Sequence, residues 1–580
     1  MSKSTNRRVQ VLLQLGLFTG VLLFVNILSN ARFSGKPLYA QFDLTEENRF
    51  TLTDGSRQLL RNLDDVVFIN VLLEGSFPAG FKRLQNATRE VLDDFRSESG
   101  YLEYEFENPS EGSTEEVNAR REELKKDNIF PINLRVKETD GSSEQLIYPY
   151  AICYYKGRSI AVNLLENEIP GVAPEVILNN AVRLLEYKFS SAIQKLKEGH
   201  KPVVAFTTGH GELTSVETAD FEKTLRQYYD TGRIHLDSLV GISQDASLLI
   251  VAKPRGAFSE KDKFKLDQYV MQGGKILWLI DKIRVDLDSL QGRKEYFPTE
   301  YELNLEDLFF NYGVRIEPNL ILDMQCSSIP LVTGTLGNAP QFDLFPYPYH
   351  ITATPRTEHP VAKSLNAVNL FYPSTIKWDI GAAMKIKRTP LLESSPNSRY
   401  QYLPVGMNFD FLRYPLDPLK FDKGSQTVSV LMEGVFPSMY KNRVSPEMMS
   451  GMEQIGVQFK PESEATAMIV VSDGDVIKNK VNFNQEGRPS FLPLGFNEFN
   501  KGYYANKDFL VNAVEYLMAE KGFIEARGKE VKLRLLDTVK ARKNKEFYQA
   551  LNILAPLMFF GIFATIFLVL RKRKFAKQNT

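Results

Sequence analysis

Cysteine is nearly missing from this chain: Cys153 and Cys326 are the only two in 580 residues. That count excludes a disulfide framework and a zinc cluster. The two could bridge in an oxidising compartment, but their wide separation in sequence decides nothing. A bias of charge is missing too. Lys plus Arg and Asp plus Glu both number 71, so the formal net charge is zero, which argues against a nucleic-acid-binding surface. No Gly-x-Ser-x-Gly elbow and no Gly-x-x-x-x-Gly-Lys-[Ser/Thr] loop occurs, which excludes an α/β hydrolase of that type and a P-loop ATPase. No Cys-x-x-Cys occurs either, so thiol–disulfide chemistry is not implied. Fixed-period repeats and low-complexity segments are absent. Between residues 32 and 547 no apolar run is long enough to span a bilayer. Stretches such as Lys275–Ile280 and Ala467–Val471 have the length of core strands.

What is present begins with the two ends. Leu551 to Leu570 carries no charge and is followed by Arg571, Lys572, Arg573 and Lys574. About 20 apolar residues suffice to cross a bilayer core, and flanking cations stay on the cytoplasmic side. The tail 571–580 is therefore expected inside. Pro556 sits near the start of the run, where a missing N–H costs least. Val9 to Leu28 is a second uncharged run, preceded by Lys3, Arg7 and Arg8. Ser29 and Ala31 loosely fit a signal-peptide cleavage pattern, but the apolar region outlasts the usual 7–15 residues or so, which favours an uncleaved anchor. Residues 1–31 read as a cytoplasmic tail plus anchor. Everything from about Arg32 to Phe547 is expected on the far side of the membrane.

Residues 37–165 read as one α/β domain. A β-branched run at Val66–Leu73 is followed by helical spacing at Leu84, Thr88, Val91, Leu92 and Phe95, and later by a hairpin about Lys156-Gly157-Arg158. This order suggests a thioredoxin-like layout. A second unit, 174–545, opens with a long amphipathic helix at Glu175–Leu196. It continues with strands at Val203–Thr208, Ser247–Ala252 and Lys275–Ile280, and with helices between them. Ser259-x-x-Asp262 is a capping box and Gly273-Gly274 a helix stop. Alternating strands and helices of this length predict a doubly wound parallel sheet, flavodoxin- or amidotransferase-like. Prolines 330, 340, 346, 348, 355, 360 and 373 mark 327–422 as an inserted excursion of loops and short strands.

Ligands of open α/β sheets bind at the carboxyl ends of strands. Gly209, His210, Gly211 and Glu212 stand there, with Asp281, Asp323, Asp473 and Asp475. One reading is a hydrolase or metal site; a second is a small-ligand or glycan crevice; a third is that these carboxylates cap helices and turns. His-x-Glu is not a zinc spacing. Neither cysteine is placed as an activated nucleophile, since Cys153 lies inside a predicted strand and Cys326 in a Ser/Pro loop. No catalytic residue, cofactor or metal is therefore assigned.

The order of several short motifs carries a resemblance. Thr208-Gly209-His210-Gly211-Glu212, Gly273-Gly274-Lys275, Tyr312-Gly313-Val314, Ser472-Asp473-Gly474-Asp475 and Asn506-Lys507-Asp508-Phe509-Leu510-Val511-Asn512 precede the C-terminal span with Arg571-Lys572-Arg573. The chain resembles the gliding-motility-associated ABC-transporter components of the GldG type in Bacteroidota, related to auxiliary ABC-type transport domains with an amidotransferase-like core. The resemblance implies a non-enzymatic, nominally substrate-binding accessory subunit in the bacterial inner membrane, with a periplasmic body. It also implies a membrane permease and a cytoplasmic ABC ATPase as partners. The alternatives are a periplasmic hydrolase or glycan-binding enzyme using the His210/Glu212 loop, and a structural tether of the gliding or secretion machinery.

Overall fold

The computed structural model describes residues 51–518 except 127–128, 139–140, 166–173, 199–200, 227, 291–292, 337–338, 356, 358, 364, 379–385, 445–458, 484–486 and 501. It also describes 545–576 and, before residue 51, only 13, 15–21, 23–24, 32–33 and 36–37. The chain divides into two units, Met1–Lys529 and Glu530–Thr580.

The first unit begins its core at α1 (Asp54–Arg61), capped by the Thr53 side chain, which accepts from Ser56 N. The run Val67–Val71 forms β1, with Val67, Ile69 and Val71 inward. Then come α2 (Ala79–Glu98), β2 (Leu102–Phe106) and α3 (Thr114–Lys126). Next are the hairpin β3 (Ile132–Glu138) and β4 (Gly141–Ile147), then β5 (Tyr150–Tyr155) and β6 (Arg158–Asn163). The sheet order is β2-β1-β5-β6, with β1 parallel to β2 and antiparallel to β5. Lys156 and Gly157 turn β5 into β6 at φ 47° and 76°. Both central residues are left-handed, which matches the twist of a two-residue hairpin.

Helix α4 (Pro174–Glu198) is expected from sequence to open the second unit. Its apolar stripe instead completes this first core: Leu178, Ala181, Leu185, Phe189 and Ile193 pack with Leu60, Leu84, Phe95 and Ile69. The i, i+3, i+4 spacing gives one continuous face. Its other side reaches the second layer, where Tyr187 donates to Glu515.

The second layer starts with β7 (Val203–Thr208), α5 (Ala219–Leu225), β8 (Asp230–His235), β9 (Ala246–Ala252), α6 (Glu260–Met271), β10 (Ile276–Leu279) and α7 (Glu306–Asn311). The predicted excursion supplies β11 (Asn319–Asp323), β12 (Cys326–Leu336), β13 (Ala339–Ala353), β14 (Val368–Phe371), β15 (Ile386–Glu393) and β16 (Ser398–Tyr402). Strands β17 (Thr427–Gly434) and β18 (Thr466–Val471) and helix α8 (Asn506–Met518) finish it.

The seven-stranded order is β8-β7-β9-β10-β18-β17-β15. Strands β8, β7, β9, β10 and β18 are parallel. The expectation of a purely parallel sheet is corrected at the far edge, where β17 runs antiparallel to β18 and β15 to β17. The excursion is also more than loops and short strands. It forms the long β12–β13 ribbon and contributes β15 to the main sheet. Pro390 lies in β15, the edge strand of the main sheet, where a missing N–H is tolerated.

Alternate residues feed two cores. Leu248, Ile250, Leu277, Leu279 and Ile469 face α5 and α8 through Phe221, Phe509, Leu510 and Val514. Leu249, Val251, Ile276, Trp278 and Val470 face α6 and α7 through Leu266, Tyr269, Leu308 and Phe309. Burial on both faces explains why these strands read as unbroken apolar runs. Helix α6 stops as expected at Gly273, φ 93°. A Cβ on Gly274 would fall 2.4 Å from the Tyr269 ring, so no larger residue fits that approach.

In the second unit, α9 (Lys545–Ala576) contains the stretch Gln549–Arg573, long and apolar enough to cross a membrane. It is the one such helix among the described residues. Residues 13, 15–21 and 23–24 are helical, while the rest of the expected N-terminal span lies outside the described residues.

Candidate functional site

Chain order places the switch point of the main sheet between β7 and β9, since β8 lies to one side of β7 and β9 to the other. In open α/β sheets a ligand crevice opens at that point, beyond the carboxyl ends. Here the crevice is occupied by protein. Strand β9 ends in Lys253, a non-glycine residue at φ 53°. Its N–H donates to Leu279 O at 2.8 Å. Its ammonium lies 2.9 Å from Asp281 Oδ2, beyond β10, and 2.5 Å from Asp475 Oδ2, beyond β18. Asp281 Oδ1 accepts from Gly474 N at 2.5 Å. Asp473 Oδ1 and Oδ2 accept from Asp475 N and Phe371 N, each at 2.8 Å. Three neighbouring strands are thus laced together at one end by a single cation. Gly474 is required by this closeness, because a Cβ there would sit 2.6 Å from Lys253 Cβ.

The charges respond to burial. Burial works against the Lys253 cation, but the carboxylates of Asp281 and Asp475 outweigh it and hold the pKa above the ordinary lysine value. Burial raises Asp281, with Lys253 opposing. Burial, then the charges of Asp281 and Asp475, push Asp473 well above the usual carboxylate range.

His210 forms a second cluster. Its ring stacks on Phe258, centroids 3.8 Å apart. Nδ1 lies 3.6 Å from Glu212 Oε1 and Nε2 3.3 Å from Asp262 Oδ2, ion-pair contacts of a side chain that is 5% exposed. Its carbonyl accepts from Arg255 N and Gly256 N at 2.8 and 2.7 Å, which joins the loop after β7 to the loop after β9. Burial opposes the imidazolium, yet Glu212 and Asp262 raise the His210 pKa. Burial likewise opposes the Asp262 carboxylate, but Lys265, Ser259 and His210 hold it at about 2. Glu212 is lowered despite burial, by His210 and the backbone N–H groups around it.

The structure therefore splits the sequence-derived candidates three ways. Asp281 and Asp475 converge on Lys253, with Asp473 beside them holding the N–H groups of Asp475 and Phe371; His210 and Glu212 converge with Asp262. Asp323 stands apart at the end of β11, accepting from Ser395 N and Ser395 Oγ at 2.5 Å each and from Gln325 N at 2.8 Å. Lys253 and Asp262 are the residues that sequence reading passed over. Asp262 was legible only as the capping partner of Ser259, a role it keeps: Ser259 Oγ donates to it at 2.7 Å. Lys253 had one signal, a charged residue directly after a buried strand.

Chemically, the arrangement holds charge rather than offering it. A lysine nucleophile works as a neutral amine, and Lys253 is held charged. The thiols of Cys153 and Cys326 are both free, and burial pushes each up to about 12. Among the described residues no group of three or more His, Cys, Asp and Glu converges in a way that could hold a metal ion.

Removing Lys253 strands two buried carboxylates, which typically costs about 3–5 kcal/mol. Lys253→Met should therefore lower the thermal midpoint of the purified chain sharply; an unchanged midpoint would mean the clamp contributes little. His210 has its pKa raised on folding, so its contribution is full below the unfolded value and fades as pH rises through the folded value. Asp262 and Glu212 are lowered, so theirs fades as pH falls. The midpoint difference between wild type and His210→Asn should thus be larger at pH 6 than at pH 9, and a difference that grows toward pH 9 would reverse the assignment.

Residues 46–154 match a domain of unknown function (DUF7088). An uncharacterized protein of Borreliella burgdorferi is 21% identical over 419 residues, covering 70% of this chain and 75% of that protein. A solved structure, the mmIFT52 N-terminal domain, is 12% identical and covers 55% of this chain and 98% of its own, at a TM-score of 0.29; so low a score carries no argument. Residues 201–513, more than half the chain, from the start of β7 into α8, match the family described as an ABC-type uncharacterized transport system. The chain belongs to that family.

Proposed function

We propose that this chain is the membrane-anchored accessory, nominally substrate-binding subunit of an ABC transporter linked to gliding motility, without catalytic activity of its own. On this reading residues 9–28 and 551–570 span the bacterial inner membrane, both termini are cytoplasmic, and a thioredoxin-like domain and an amidotransferase-like domain stand in the periplasm. Family membership supports a transport-associated role beside permease and ATPase components. The apolar stretch within α9 supports a membrane anchor. The observation that carries the non-enzymatic part is the Lys253 clamp. The polar residues at the carboxyl edge are paired with one another at 2.5 and 2.9 Å. The sequence has no Gly-x-x-x-x-Gly-Lys-[Ser/Thr] loop, so on this reading the transport energy comes from another subunit.

One observation favours the alternative of a periplasmic hydrolase or glycan-binding enzyme: His210 Nδ1 and Glu212 Oε1 are buried without hydrogen-bond partners. The two readings separate in one strain. The accessory reading expects the detergent-solubilised protein to co-purify with a Walker-type ATPase. It also expects His210→Ala/Glu212→Ala to leave cellular function intact while the protein stays folded. Recovery of a lone chain, or loss of function in the folded double variant, contradicts it.

A further inference from the structure

Helix α3 buries little. Val117 and Leu124 are its buried residues, and Arg121 falls between them on the same face, four residues after one and three before the other. An arginine on an inward stripe is normally met by a carboxylate or by carbonyl oxygens. The neighbouring Arg120 is met in this way. Its Nε lies 3.3 Å from Glu107 Oε1, and its Nη1 donates to Pro109 O and Glu111 O at 3.2 and 3.1 Å. Arg121 has no such partner among the described residues. Its Nε is buried and unsatisfied, while its two Nη atoms are unpaired but not enclosed.

Arg121 lines a cavity of about 300 Å³. The cavity lies beyond the carboxyl ends of the parallel pair β1 and β2, the side on which α/β sheets bind ligands. Glu74, from the loop after β1, is the other charged residue in its described lining. Glu74 Oε2 accepts from Gln85 Nε2 at 2.8 Å and from Arg89 Nη2 at 3.3 Å. Oε1 takes no bond and is not enclosed, and no ion pair joins Glu74 to Arg121. Asn108 and Ser110 line the same cavity from the loop after β2. Asn108 Oδ1 accepts from Ser110 N at 3.0 Å, which leaves the Asn108 amide N–H groups and the Ser110 hydroxyl as donors.

The charges narrow the ligand. A simple anion that met Arg121 would also face the open oxygen of Glu74, and a simple cation that met Glu74 would face Arg121. A ligand carrying both charges close together meets each with its opposite. The free α-amino acid is the smallest such class. Its carboxylate matches the fork of an arginine, with Asn108 and Ser110 as further donors. Leu72, Phe77 and Ile147 supply an apolar wall, which selects an apolar side chain. The volume stands at the lower end of the roughly 300–1,000 Å³ of small-molecule pockets, the size for one residue rather than a peptide.

We propose that this cavity binds a free α-amino acid with an apolar side chain, its carboxylate on Arg121 and its ammonium on Glu74 Oε1. The site belongs to the first domain, for which the transport reading names no task, and it does not rest on that reading.

The test is equilibrium dialysis of the detergent-solubilised full chain against radiolabelled leucine, methionine and phenylalanine. At least one of the three should bind. Its N-acetyl and amide derivatives, each lacking one charge, should compete about tenfold or more less well. Arg121→Gln and Glu74→Gln should each weaken the free amino acid by a similar factor, and Arg121→Gln should no longer distinguish it from its amide. Arg121 bonds to nothing among the described residues, so Arg121→Gln should keep the wild-type unfolding midpoint and its binding result stays readable. Binding of none of the three would overturn the proposal. Displacement by the capped derivatives or by inorganic phosphate as effective as by the free amino acid, or binding unchanged in Arg121→Gln, would do the same. So would a lowered midpoint of that variant, which would reveal a structural partner for Arg121.

Discussion

Lys253 lies where five parallel strands direct their carboxyl ends, and its charge can be buried there only because Asp281 and Asp475 meet it. An isolated ammonium would be costly to take out of water, and so would either carboxylate alone. Together they form a knot that joins the ends of β9, β10 and β18. Much of the neighbouring architecture depends on it. Gly474 has to lack a side chain, Lys253 has to adopt a left-handed backbone, and Asp473 is left with a raised pKa beside two other carboxylates. At the switch point itself the loops after β7 and β9 are joined separately, through the His210 carbonyl and the N–H groups of Arg255 and Gly256.

Asp475 pairs with Lys253 and also lines a cavity together with His350 and Asn369. The residues of that cavity come from β13 and β14, inside the proline-rich excursion, and from the loops flanking α8. In this family member the insertion thus supplies the walls that the sheet edge lacks.

Much of the fold was legible because its signals are local. The runs at 203–208, 247–252, 275–280 and 467–471 are mostly apolar, as doubly covered strands are, and α6 carries both a capping box and a glycine stop. Strand β8 was missed because its sequence, DTGRIH, is that of an edge strand with little to bury. Strand β15 was hidden by Pro390, which normally argues against a sheet. The role of α4 was misplaced because amphipathic spacing tells which face is buried but not against what. The strand-end carboxylates were found by position alone. Their partner was not, since an ion pair between residues 222 positions apart leaves no trace in local pattern.

The most direct measurement of the central claim is the reactivity of Lys253 itself. The native full-length chain would be acetylated sparingly at mildly alkaline pH, and each lysine's rate read by mass spectrometry. A cation held by two buried carboxylates should be among the slowest lysines in the folded chain and should match the exposed Lys420 only after unfolding. Native labelling of Lys253 as fast as Lys420 would contradict the account.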